Sequence, residues 1–108
     1  MSERILGDTI TLDFSLSDPH TGQMSNADVL VCWVLQDDKD TPVMTPLISQ
    51  RSGSTGLYRV TFEATADNGF VAGGSYNVDV QATVNGVTAK ARIGSFRLNA
   101  GRAAHYVV

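Results

Sequence analysis

The residues able to do chemistry in this chain are few, and their spacing does not bring them together. Its two histidines are far apart: His20 falls in Ser17-Asp18-Pro19-His20-Thr21-Gly22, a run of turn formers, and His105 lies in the closing residues. Neither is paired in sequence with a serine or with the cysteine, as a base activating a nucleophile would be. Cys32, the single cysteine, sits inside Val29-Leu30-Val31-Cys32-Trp33-Val34-Leu35, the setting of a small buried thiol. Asp37, Asp38 and Asp40 resemble the start of a calcium loop, but Thr41-Pro42 follows where further oxygen ligands, a glycine and a distal glutamate are required. Gly53-Ser54-Thr55-Gly56 has no lysine after it and leads into a strand pattern, so it lacks the helix start that holds phosphate. The inventory points to a chain with no catalytic set, no cofactor and no metal site.

Composition sets the frame for what remains. At 108 residues, 43% hydrophobic and 18% charged, the chain suits one soluble domain with a core of its own. A net charge of −3 argues against nucleic acid as a partner, because such binding needs a basic footprint. Lys90, Arg92, Arg97 and Arg102 cluster towards the C-terminus, while most acidic residues precede Phe70. No apolar stretch approaches the ~18 residues of a membrane span, and Met1-Ser2-Glu3-Arg4 does not lead into a signal-like apolar run. The expectation is a protein made and folded in a cytoplasm, with no membrane partner.

The elements are legible from period-two alternation. Ile10, Leu12, Phe14 and Leu16 alternate with polar residues from Thr9, as do Tyr58, Val60, Phe62 and Ala64 after the Gly56 loop. The clearest element is a hairpin: Tyr76, Val78, Val80, Ala82 and Val84 alternate up to Asn85-Gly86, which tolerate the positive φ of a tight turn, and the pattern resumes at Val87, Ala89, Ala91 and Ile93. Phe96 and Leu98 then fall out of phase by one, so an extra residue is expected near Gly94, with Gly94-Ser95 as the bulge. Asp28–Gln36, apolar at nearly every position, reads as a strand covered on both faces or lying centrally in a sandwich, with Trp33 as the main core residue. Pro42 and Pro46 restrict Val43–Ile48 to an edge strand or an irregular extended segment. Phe70, in the crossover before Gly73-Gly74, is expected to plug the end of the core. About six to eight short strands with no helical period indicate an all-β immunoglobulin-like antiparallel sandwich over residues 9–98, with a small barrel as the alternative. Residues 1–8 read as an N-terminal arm and 99–108 as a C-terminal tail.

Gly7-Asp8-Thr9 opening a strand with Phe14, Thr21-Gly22, Gly56-Leu57-Tyr58, Ala66-Asp67 with Phe70, Gly74-Ser75-Tyr76-Asn77-Val78 and Gly94-Ser95-Phe96 together resemble the small immunoglobulin-like virion proteins of tailed bacteriophages. The resemblance spans about residues 7–98 and rests on turn glycines and core aromatics. It implies assembly into a particle: decoration or cementing of the capsid surface, or attachment at the neck, tail or fibres, with the major capsid protein or neck and tail proteins as partners. The brevity of the chain favours the capsid role. A carbohydrate-binding or adhesive module is the alternative of another class, and it would want exposed aromatics on one face.

The contacts expected to carry assembly are terminal. Ile5 and Leu6 in the arm, and Arg102, His105, Tyr106, Val107 and Val108 in the tail, offer apolar and β-prone segments suited to pairing with a neighbour's sheet edge. Docking within the same chain is the alternative. The expected state is a homo-oligomer or a lattice-bound subunit.

Overall fold

The computed structural model describes residues 2–100. Seven strands and one short 3-10 turn follow the order β1 (Ser2–Ile5), β2 (Thr9–Ser15), β3 (Val29–Gln36), β4 (Ile48–Gln50), β5 (Leu57–Glu63), the turn Ala66–Asn68, β6 (Ser75–Val84) and β7 (Val87–Asn99). They form a four-stranded sheet, β1-β7-β6-β3, packed on a three-stranded sheet, β2-β5-β4. The order is that of an immunoglobulin-like sandwich: the chain changes sheets between β1 and β2, β2 and β3, β3 and β4, and β5 and β6, so strands distant in sequence pair in space.

Parity decides which side chains meet between the sheets. Cys32 and Val34 lie opposite Val80 and Val78, and Leu12 and Phe14 lie opposite Val60 and Tyr58. Since alternate side chains point to opposite faces, these rows turn inward together. The core gathers Ile10, Cys32, Val34, Val60, Phe62, Ala64, Phe70, Tyr76, Val78, Val80, Phe96 and Leu98. Phe70 does close its end: it is 1% exposed, and its ring centroid is 4.8 Å from that of Tyr76, 5.9 Å from Phe62 and 6.3 Å from Phe96. The Tyr76 hydroxyl accepts the Val71 N–H at 2.8 Å, which fixes the crossover to the strand it precedes. Gly74 has no room for a side chain there, because a Cβ would lie 2.8 Å from that hydroxyl.

Three expectations need correction. Trp33 is only half-buried and lies on the outer face of the four-stranded sheet, opposite Asp79, because Cys32 and Val34 take the inward positions. For the same reason β3 is covered on one face only, and it forms the edge of its sheet. The bulge is one residue earlier than Gly94-Ser95: Val78 faces Gly94 and Asp79 faces Arg92, leaving Ile93 as the unpaired extra residue. Gly94 itself does not adopt positive φ; its smallness is used where Leu12 approaches, 2.9 Å from where a Cβ would be.

The segment between Pro42 and Ile48 crosses from one sheet to the other. Met44 bridges to Val34 of the four-stranded sheet, and Ile48 then pairs with Val60 of the other. The N-terminal arm is a strand in its own right. Ser2 to Ile5 run parallel to Phe96 to Asn99, and the Leu6 N–H continues the contact to the Asn99 carbonyl at 2.9 Å.

Candidate interaction surface

The chemistry-bearing residues singled out from sequence serve the frame. The Asp18 carboxylate accepts the His20 N–H at 2.7 Å and the Asn85 side-chain amide, so it ties the first turn to the hairpin turn. These bonds, that from the His20 N–H first, hold the Asp18 carboxyl below its usual range. Cys32 is buried, and burial together with the charge of Asp79 pushes its thiol up to about 11, away from the thiolate form a nucleophile needs. Asp37 accepts the Asn77 side-chain amide at 2.7 Å and so anchors its loop to the sheet. The glycine stretch is a turn: Gly56, at φ +75°, passes so close to the Leu16 carbonyl that a Cβ would lie 2.8 Å from it.

Two surfaces remain. On the outer face of the four-stranded sheet, Trp33 carries the Lys90 ammonium 5.3 Å from its ring centroid. Beside it Arg92 donates to Asp79 at 3.1 Å, and Ser95 donates to Asn77 at 2.8 Å. Asp79 and Asn77 are thereby nearly buried on a face turned away from the core, with partners for their polar atoms.

The second surface is the side of the sandwich bounded by β2 and β7. Among the described residues, β2 pairs only with β5, so its other edge is open. Among them too, β7 pairs with β1 only over Phe96 to Asn99, which leaves its edge from Val87 to Ile93 open as well. Between these edges runs a slot. One end, about 180 Å³, is lined by Ser2, Arg4, Ile10, Leu12, Ile93 and Phe96 among others. The other, about 120 Å³, is lined by Phe14, Leu16, Val80, Ala82, Ala89 and Ala91, and the two meet at Ile93. Val87, Ala89 and Ala91 occupy inward positions opposite Val84, Ala82 and Val80, yet they are exposed while their β6 partners are buried. The alternation that marks them as core in the sequence is therefore real, and the second sheet does not reach them.

Of the terminal residues expected to make contacts, Leu6 packs against the core and Ile5 is 39% exposed at the sheet edge. Arg102, His105, Tyr106, Val107 and Val108 lie outside the described residues. Sequence reasoning missed the slot because an edge left open is a property of pairing, which alternation within one strand does not report. The one local signal was the run of alanines at 89 and 91 in place of larger core residues.

Comparison with protein-family models, with curated proteins and with solved structures found no match for this chain.

Proposed function

We propose that this protein is a non-enzymatic structural component of a virion, which decorates or cements a capsid surface and is joined to other virion proteins through its sheet edges and termini. The observation that carries the reading is the open side of the sandwich: two unpaired strand edges flank an apolar slot, and such edges call for a partner or for protection. No proline lies in β2 or in β7 to blunt these edges. The sequence resemblance to immunoglobulin-like virion proteins supplies the context, with a place at the neck, tail or fibre base as the variant of the same reading. Synthesis in the host cytoplasm follows from it.

Mass spectrometry of purified particles tests this reading. It predicts the chain as a regular constituent of the particle, and its absence from particles made by cells that express it would overturn the proposal. A second reading, a carbohydrate-binding module, is favoured by one observation: Trp33 is half-exposed on the outer sheet face beside polar side chains. Binding to a glycan array that is lost in Trp33→Ala would support that reading over the first.

A further inference from the structure

The slot between β2 and β7 has a shape, a length and a charge, and together they specify an occupant. Each of its two hollows, about 180 and 120 Å³, falls below the ~300 Å³ at which pockets begin to enclose small molecules, but accommodates individual side chains. They lie in line along β2, one beside Ile10 and Leu12, the other beside Phe14 and Leu16. The two pairs are four residues apart, about 13 Å of extended chain, so the hollows suit side chains four residues apart on one face of an extended strand. The open backbone edge of β7 over Val87 to Ile93 supplies the hydrogen-bonding partners that an added strand requires.

Charge then restricts what that strand carries. Arg4 faces Leu98 across the sheet, so its side chain points to the core side, into the larger hollow. It is half-buried and has no ion pair among the described residues. Lys90 and Arg92 stand on the outer face of the open β7 edge, and Arg59 and Arg51 stand around Asp13 on the outer face of β2. Against these cations, Asp13 and Asp79 are each already held by an arginine. Arg59 and Arg92 are offset by those two carboxylates, which of these cations leaves Arg4 on the slot side and Lys90 on the outer side without an ion pair among the described residues. A second copy pairing β7 with β7 would set Lys90 and Arg92 against themselves, and residues 101–108 carry Arg102 and His105 with no acidic residue.

We propose that the slot binds an extended segment of a different protein in which apolar and acidic residues alternate. The segment pairs with the open half of β7, lays its apolar side chains on Phe14, Leu16, Ala89, Ala91 and Ile93, and turns its alternating carboxylates to the outer face, towards Lys90 and Arg92. This rests on the reading of the chain as an assembly protein, and it names the chemistry of the partner strand.

The test is fluorescence anisotropy with three labelled peptides of about eight residues, the length of the slot: valine alternating with glutamate, valine alternating with lysine, and residues 101–108 of this chain. The glutamate peptide is expected to bind at least about tenfold tighter than the other two. Lys90→Gln should weaken it several-fold. Ala91→Trp, at an exposed position whose replacement fills the slot without touching the core, should abolish binding at an unchanged melting temperature. Equal binding of the glutamate and lysine peptides, preference for the 101–108 peptide, no binding of the glutamate peptide, or full binding by a folded Ala91→Trp variant would each overturn the proposal. Because the assay uses the purified chain alone, its failure is distinct from absence of the chain from particles.

Discussion

At the scale of the residue, the same side-chain type has opposite consequences on the two faces of a sheet. Phe70 lies among three aromatic rings, and Phe70→Ala should cost about 3–5 kcal/mol by opening a cavity. Trp33, though larger, is half-exposed; Trp33→Ala should cost less than half as much, most of it packing and the contact with Lys90. Urea melts of the two variants check the order, and a Trp33 variant as damaged as Phe70→Ala would place the indole in the core. Asp18 gives a pH-dependent counterpart. Its folded pKa is depressed, so its contribution to stability is present above the unfolded value near 3.9 and is lost as pH falls through the lower folded value. Asp18→Asn should therefore be less stable than wild type at neutral pH, with the difference shrinking below about pH 4. Thermal melts from pH 7 down to 2 would show this convergence; a gap that stays constant would contradict it.

Elements were far more legible than the surfaces they build. β2, β5, β6 and β7 match their alternation to within a residue or two, because a half-buried strand must alternate, β3 matches its apolar run, and Asn85-Gly86 has φ values of +49° and +79° as its tight turn requires. β1 was not legible: Ser2–Ile5 has no alternation of its own, and its parallel pairing with the end of β7 is decided by a strand more than ninety residues away. The orientation of β3 was illegible for a related reason, since a run apolar at every position does not say which parity faces in. The slip in phase between Ile93 and Phe96 was legible as a bulge, though its centre was misplaced by a residue. That bulge absorbs the slip in phase, so deleting Ile93 would make the pairs Asp79–Arg92 and Val78–Gly94 consecutive and restore a regular ladder with Phe96 and Leu98 still inward. The cost is then limited to the half-buried Ile93 side chain, about 1–2 kcal/mol. The deletion is expected to keep a cooperative unfolding transition in circular dichroism, whereas loss of the transition would show that the inward placement of Phe96 and Leu98 needs the extra residue.

For the whole molecule, the open side is the feature that local rules leave unexplained. Alanines at 89 and 91 are patterned as core, the three-stranded sheet does not cover them, and the edges on either side carry unpaired backbone groups. A strand supplied from outside would complete the inner face of β7 and pair its edge at once, which is the economy that strand addition offers. The termini bear on this side unequally: β1 closes the far end of the β7 edge, and residues 101–108 lie outside the described structure.

The most direct measurement is site-specific photocrosslinking in assembling particles. A benzophenone amino acid would replace Ala89, in the slot, or Thr61, on the outer face of the three-stranded sheet, and adducts would be identified by mass spectrometry. The account predicts an adduct from position 89 to a segment of another virion protein in which acidic and apolar residues alternate, and none from position 61. Adducts only between copies of this chain, equal adducts from both positions, or none from position 89 in particles that contain the protein would contradict it.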